Sequence, residues 1–330
     1  MSDGAPLRIG ILGAARIAPM ALVRPARQVP GASVVAVAAR DPKRARTFAS
    51  KHAIPRVHQT YDDLLSDPEI DAVYNPLPNS LHCEWSIRAL RAGKHVLCEK
   101  PMAANAAEAE RMAHVATETG LTLVEAFHYR YHPLAARLKG VIESGELGSV
   151  EHIEAYMCVP FLIPGDIRYR YELAGGATMD VGCYVINLVR FLAGSEPEVA
   201  RAEARLSSPQ VDRWMTAEFR FTDGRTAKIT CSLCSIALVR LSAIVRGDRA
   251  EMRVINPFAP HFFHRLKLRG PKGTVVERAP GNTSYTHQLR AFVQAVRGEA
   301  PMPTDAADAI ANMRVIDTVY EKAGLLPRGI

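Results

Sequence analysis

From residue 7 to residue 126, short β-branched apolar runs alternate with stretches whose apolar positions recur at helical spacing. A parallel sheet built from β-α-β units leaves that alternation in a sequence. Strands are expected at residues 7–12, 33–38, 72–75, 95–99 and 122–126, and helices at 18–28, 42–52, 61–66, 80–92 and 105–119. Asp41 stands where it would cap a helix, and Gly93 and Gly120 stand where helices stop. Beyond residue 126 the pattern changes. A helical stretch at 133–144 leads into long alternating strands, among them 150–157, 214–221 and 226–238, with one long helix at 176–192. Runs of strands with few helices between them indicate a mostly antiparallel sheet. Residues 304–323 are helical again, with Ile310, Met313, Ile316, Val319 and Tyr320 on one face. The expected organisation is an α/β domain over residues 1–126, then an α+β domain over 127–330 with a large, mostly antiparallel open sheet. The helix at 304–323 is expected to pack back on the first domain.

Composition narrows the class. With 48% apolar and 23% charged residues, the 330-residue chain reads as a soluble globular protein of two domains. No apolar run approaches the ~18 residues of a membrane-spanning helix. Residues 1–6 form a short polar start without an apolar signal core, so a cytoplasmic address and no membrane partner are expected. The formal charge of +7 is spread over scattered residues without a reading motif, which speaks against nucleic acid and for a small phosphate-bearing ligand. Of six cysteines, only Cys231 and Cys234 have CxxC spacing, and no second pair completes a metal site. They are read as core thiols in a reducing compartment, and no metal is expected.

The turn after the first strand reads Gly10-Ile11-Leu12-Gly13-Ala14-Ala15-Arg16-Ile17-Ala18. Set on GxGxxG it becomes Gly13-x-Ala15-x-x-Ala18, with small residues where backbone must approach a pyrophosphate at a helix N-terminus. Two alanines stand in glycine positions, so the string draws its meaning from the β-α-β series around it. The first domain is thus expected to be a Rossmann dinucleotide-binding domain. An NAD site usually ends the second strand with a carboxylate, which repels a 2′-phosphate. Here Ala38-Ala39-Arg40-Asp41 follows, with Arg44 one helical turn on. Arginine forks suit a phosphate, so NADP(H) is favoured over NAD(H), against the plainer reading of solvated helix-start residues.

Two further places carry candidate chemistry. Glu99-Lys100-Pro101 lies just past a buried strand, at the carboxyl edge where open α/β sheets bind ligands. A cis bond before Pro101 would aim Lys100 into the crevice. In the second domain, Gly175-Gly176-Ala177-Thr178-Met179-Asp180-Val181-Gly182-Cys183-Tyr184 opens the long helix. Asp180 and Tyr184, four apart, share a face. A phenol whose charge is stabilised by a cation is a usable base for alcohol oxidation, although buried Asp/Tyr pairs also serve as structural hydrogen bonds.

Together these segments resemble the glucose–fructose oxidoreductase/inositol dehydrogenase family, written Gfo/Idh/MocA. The resemblance rests on residues 10–18, on Asn75-Pro76-Leu77-Pro78-Asn79-Ser80-Leu81-His82, and on Ala92-Gly93-Lys94-His95-Val96-Leu97-Cys98-Glu99-Lys100-Pro101. It continues through Glu125-Ala126-Phe127-His128-Tyr129-Arg130-Tyr131-His132-Pro133 and residues 175–184. Within the family, Gly-Ala-Ala in the turn and Ala-Arg-Asp after the second strand are nearest the dimeric dihydrodiol dehydrogenase and NADP-dependent D-xylose dehydrogenase group. The resemblance implies that Lys100 binds substrate and tunes the acid/base, that Asp180 orients the substrate, and that Tyr184 moves the proton. It implies a cofactor held by Gly13, Ala14, Ala15, Arg16, Ile17, Ala39, Arg40 and Arg44, with Pro76, Leu77, Asn79, His82, Glu99 and Pro101 around the nicotinamide. Arg130 and Tyr131 would line or support the cleft, whereas His128 and His132 carry no assigned role. It further implies a homodimer or higher homo-oligomer through the C-terminal sheet.

The expected activity is hydride transfer between NADP(H) and a hydroxyl-bearing carbon of a sugar, cyclic polyol or trans-dihydrodiol. Two alternatives remain open at this point. One is a hydrolase or eliminase that uses NAD transiently, and the other is a non-catalytic NADP-binding sensor. Loops at 160–171 and 256–264 are expected to set specificity.

Overall fold

The computed structural model describes residues 5–161, 163, 165–235 and 239–329. They form two compact units. The first takes in the chain up to Ala103, Ala107–Tyr131 and Thr283–Ala309; the second takes in Ala104–Ala106, His132–Asn282 and the chain from Ile310 on.

The first unit is built on β1 (Leu7–Leu12), β2 (Ala32–Ala38), β3 (Arg56–His58), β4 (Ala72–Asn75), β5 (His95–Cys98) and β6 (Leu123–Glu125), in the order β3-β2-β1-β4-β5-β6. All neighbours pair parallel. Ile9, Ile11, Val37, Val73, Leu97 and Val124 are buried, as strands covered on both faces require. The strand order reverses beside β1, and open sheets of this kind bind ligands outside the carboxyl ends of the strands at such a switch point. Asp41 caps the helix Pro42–His52 by accepting the Lys43 N–H at 2.8 Å. The short strand β3 has no apolar run to announce it, and its three residues are half-buried.

The first helix departs from expectation. Over 18–28 the chain forms a π turn, Pro19–Val23, followed by a single turn, Arg24–Ala26. Pro25 has no N–H to donate back to Ala21, and its ring crowds that carbonyl, so a regular α-helix is excluded there. A distant segment completes the unit. The helix Ser284–Val296 contributes Tyr285, Leu289, Phe292 and Val293 to one core with Leu7, Ile9, Tyr74 and Leu97. Each such side chain adds roughly 1.5–3 kcal/mol of burial. Thr304 accepts the Glu125 N–H through its carbonyl at 2.9 Å, and Asp305 bridges Val124 antiparallel, so this stretch extends the sheet edge.

The second unit holds β7 (Val150–Cys158), β8 (Glu198–Ser208), β9 (Val211–Arg220), β10 (Thr226–Ser232), β11 (Arg240–Gly247), β12 (Glu251–Ile255), β13 (Arg265–Gly270) and β14 (Gly273–Glu277). Their order is β14-β13-β12-β11-β7-β10-β9-β8, antiparallel except for β7 beside β10. Along β9, Met215, Ala217 and Phe219 are buried while Glu218 and Arg220 are exposed, the two-residue period of a sheet with one covered face. The covering element is the helix Cys183–Ala193, whose Val185, Leu188, Val189 and Leu192 are fully buried.

The strand expected at 226–238 is shorter. β10 stops at Ser232, whose hydroxyl accepts the Cys234 N–H at 3.1 Å in a local turn that competes with the ladder. Residues 236–238 lie outside the described ones. Cys231 is fully buried, and burial pushes its thiol well above the usual range; Cys234 is half-buried in an isolated bridge to Pro160.

Candidate active site

In the first unit, Gly13 takes φ +94° and donates its N–H to the Ala38 carbonyl at 2.6 Å, closing the turn out of β1. A Cβ there would sit 3.0 Å from Leu77 Cδ2, so glycine answers both the backbone and the space. Ala15, Arg16 and Ile17 follow at the helix start, where Ala18 donates to the Ala15 carbonyl at 3.2 Å. Ala39 is buried and Arg40 and Arg44 are exposed. Arg44 Nη2 donates to the Ala14 carbonyl at 3.4 Å, which draws this arginine of the following helix onto the glycine turn. Tyr61 joins them: its hydroxyl meets the Arg40 backbone, and both guanidiniums act on it against the burial that raises its pKa. The Asp41 carboxylate is turned to its cap, leaving Arg40 exposed just past the strand and Arg44 exposed in the first turn of the helix.

The two loops past β4 and β5 are tied to each other. His82 is fully buried, with Nδ1 2.8 Å from the Pro101 carbonyl and Nε2 2.7 Å from the Leu77 carbonyl. Burial lowers its pKa to about 4, so the ring is neutral near pH 7 and its single N–H donates to one of the two carbonyls at a time. Asn75 donates to the His82 carbonyl at 3.3 Å and to Ser86 Oγ at 3.0 Å, fixing the Pro76-Leu77-Pro78-Asn79 turn from beneath. Tyr74 Oη donates to Glu99 Oε1 at 2.6 Å, and the Lys100 N–H reaches Glu99 Oε2 at 3.3 Å. The Lys100–Pro101 bond is cis and Lys100 is half-buried. Buried Glu125 accepts the Met102 N–H at 2.7 Å, holding the next stretch of the same loop.

Arg130 and Tyr131 are anchored within this unit. Arg130 Nη1 lies 3.6 Å from Asp308 Oδ2, and the Tyr131 hydroxyl is 2.5 Å from Thr304 Oγ1. Burial raises the Tyr131 pKa. His128, without an expected role, contacts Ser284 Oγ at 2.8 Å and stacks on Tyr285 at 4.0 Å.

In the second unit, the long helix opens with a π turn, Thr178–Gly182, before continuing as Cys183–Ala193. Such turns recur at functional sites. Asp180 lies in the π turn and donates its backbone N–H to Gly176 at 3.0 Å. Its carboxylate takes Arg168 Nε at 2.8 Å, and Arg168 Nη1 also holds Asp166 at 2.9 Å. Tyr184 is 7% exposed, with the Phe258 ring edge-on at 5.9 Å. The two glycines before the helix have steric reasons. A Cβ on Gly175 would come within 2.7 Å of the Arg168 carbonyl, and one on Gly176 (φ +136°) within 2.2 Å of Asp212 Oδ1.

Three partners of this helix escaped the sequence reading. Arg168 lies in the loop expected to set specificity, but nothing in the chain pairs it with Asp180. Asp212 and Arg328 are more than a hundred residues apart and meet only through the fold. Among the described residues, no cluster of His, Cys, Asp or Glu could hold a metal ion, and no helix is long and apolar enough to cross a membrane.

Residues 7–127 match the family described as "Oxidoreductase family, NAD-binding Rossmann fold", and residues 135–253 match the GFO/IDH/MocA C-terminal domain. The D-xylose 1-dehydrogenase (NADP(+)) 2 of Haloferax volcanii is 34% identical over 96% of this chain and 97% of its own. The dTDP-3,4-didehydro-2,6-dideoxy-alpha-D-glucose 3-reductase of Saccharopolyspora spinosa is 40% identical over 88% of each chain. A solved 3-ketoreductase from Actinomadura kijaniata, in complex with NADP and TDP-benzene, superposes with a TM-score of 0.89 at 29% identity, over 96% of this chain and 98% of its own.

Proposed function

Because the chain belongs to the GFO/IDH/MocA oxidoreductase family, we propose that it is an NADP(H)-dependent dehydrogenase interconverting a CH–OH group and a carbonyl. Its substrate is a sugar, cyclic polyol or trans-dihydrodiol. The observation that carries the reading is the helix start at residues 178–184, where Tyr184 is nearly buried and Asp180 is held by Arg168.

In the oxidising direction Tyr184 Oη takes the substrate hydroxyl proton as the C–H bond breaks. When bound, the nicotinamide supplies the hydride-accepting carbon. In the reducing direction Tyr184 Oη returns a proton to the carbonyl oxygen. A free phenol titrates near ~10 and is a poor base at neutral pH. Lys100 is assigned to stabilise its anion and to donate to the substrate oxygen, and Asp180 to accept from a substrate hydroxyl.

The residues fit NADP. Gly13 to Ile17 offer backbone at a helix start, Ala39 leaves room, and Arg40 and Arg44 meet the 2′-phosphate. Pro76, Leu77, Asn79, Glu99, Lys100 and Pro101 border the nicotinamide, and His82 lies between the Leu77 and Pro101 carbonyls of their two loops. Arg130 and Tyr131 act as supports. The NADP in the names of the H. volcanii and A. kijaniata proteins supports this choice.

The reading extends to a homodimer through the sheet face that carries Glu154, Tyr156, Lys228 and Arg246. This face is polar but ion-paired, with Tyr156 donating to Glu154 at 2.6 Å and Lys228 to Glu218 at 3.0 Å.

The test is a pair of variants. Tyr184→Phe and Lys100→Met are each expected to lower kcat by about 10²–10⁴-fold, the usual worth of a general acid/base. NADPH binding, read by fluorescence titration, should persist in both. Near-full turnover in both variants overturns the mechanism.

A further inference from the structure

The helix that carries Asp180 and Tyr184 begins on a buried carboxylate. Asp212, near the start of β9, is fully buried and is met by four donors. Oδ2 accepts the Thr178 backbone N–H and the Thr178 hydroxyl, both at 2.7 Å. Oδ1 accepts the Tyr320 hydroxyl and Arg328 Nη2, both at 3.0 Å. Its negative charge thus lies against the positive end of the helix, which adds to the hydrogen bonds.

Arg328 is equally committed. Its side chain is fully buried, Nε donates to the Gly175 carbonyl at 2.8 Å, and Nη1 donates to the Leu326 carbonyl at 3.0 Å. Its guanidinium lies 4.0 Å over the Tyr320 ring, and Asn105 Nδ2 holds its carbonyl at 2.7 Å. One side chain therefore grips both the glycine turn before the helix and the carboxylate at the helix start. Gly176 makes room for the cluster: a Cβ there would come within 2.2 Å of Asp212 Oδ1 and 2.9 Å of the Tyr320 hydroxyl. Removing one partner of such a pair leaves a buried charge uncompensated, which is strongly destabilising.

We propose that Asp212 and Arg328 are positioning residues for the reaction, fixing through Thr178 and Gly175 the turn that carries Asp180 and leads into Tyr184. This rests on the reading of Tyr184 as the proton-transferring group. The cluster touches neither substrate nor cofactor; it sets where the helix begins. Since Thr178 is two residues before Asp180, a slip of the first turn moves the carboxylate and then the phenol. The signature of such a slip is a fall in kcat and a displaced pH profile, with nucleotide binding intact.

The experiment compares Tyr320→Phe, Arg328→Lys, Arg328→Met and Tyr184→Phe in the full-length enzyme. It measures kcat, KM, the pH dependence of kcat, NADPH binding and melting temperature. Tyr320→Phe, which removes one donor and leaves the ion pair, is expected to lower kcat about 3–10-fold, as loss of one charged hydrogen bond transmitted in part. The kcat pH limb should shift while NADPH affinity stays within about twofold. Arg328→Met should lose more, and Arg328→Lys should recover part of that loss. If Arg328→Met does not fold, Tyr320→Phe and Arg328→Lys decide. Wild-type kcat and pH profile in folded Tyr320→Phe and Arg328→Lys overturn the proposal, as does a fall in melting temperature with an unmoved pH limb. Full activity in Tyr184→Phe instead overturns the reading beneath it, whatever the other variants do.

Discussion

The two units hold their candidate chemistry in different ways. In the first, the groups sit on loops at the ends of parallel strands and are fixed by backbone: Gly13 to Ala38, His82 to the Leu77 and Pro101 carbonyls, Arg44 to Ala14. Arg40 and Arg44 stay exposed. In the second, the groups sit on a helix whose start is clamped by buried charge, Asp212 against Arg328, and by Arg168 on Asp180. Loops at a sheet edge can be tied locally by carbonyls and amides. A helix crossing a sheet must be fixed at its end, and a carboxylate at the N-terminus is an effective way to do it. The first arrangement spreads its bonds over separate loops, whereas the second gathers four donors on one buried carboxylate.

The largest expected effect tests the crowding at that buried carboxylate. Gly176→Ala combines φ +136° with a Cβ 2.2 Å from Asp212 Oδ1. It is expected to cost more than about 4 kcal/mol, the range reserved for broken buried networks. Gly165→Ala, also at positive φ (+72°) but with nothing among the described residues within 4 Å of the added Cβ, should cost no more than about 1–2 kcal/mol of backbone strain. Equal losses in chemical denaturation would mean that backbone strain alone matters and that the clamp adds nothing.

A smaller effect belongs to His82. Its folded pKa is lowered from 6.5 to about 4. Between those values the unfolded chain binds a proton that the folded chain refuses. The contribution is therefore full above pH 6.5 and is lost as pH falls toward 4, by up to about 1.4 kcal/mol per unit and about 3 kcal/mol in all. Denaturation curves of wild type and His82→Asn across this window should show a shallower acid slope in the variant. Parallel slopes would contradict a buried neutral ring.

Smaller still is the arginine pair. Arg40→Ala and Arg44→Ala should each weaken NADPH binding about 10–100-fold, the worth of a charged hydrogen bond, and leave NADH binding nearly unchanged. Equal weakening of both nucleotides would assign the arginines to general attraction rather than to the 2′-phosphate.

Local signals account for much of what the sequence disclosed. The parallel strands, the Asp41 cap and the turn at Gly13 each express a preference of a few neighbouring residues, and the structure has them within a residue or two. Pro25 carried the π turn in plain sight, but the apolar period around it masked the missing N–H. The helix Ser284–Val296 belongs to the first unit through contacts that no local pattern encodes. The same limit hid Asp212 and Arg328. In sequence they are one acidic residue at a strand start and one arginine after a helix, and their burial follows from long-range packing. Gly175-Gly176 stand out in the sequence, yet the reason for them is the neighbouring carbonyls and carboxylate, which only the fold supplies.

The most direct test of the dehydrogenase reading is the near-ultraviolet absorbance of the reduced nicotinamide across a panel of aldoses, inositols and dihydrodiols, with NADP and NAD in parallel. The expected result is NADPH formation with at least one member, weaker or absent reduction of NAD, and a blank trace for Tyr184→Phe. Substrate consumption without net cofactor reduction, or turnover that survives in Tyr184→Phe, would contradict it.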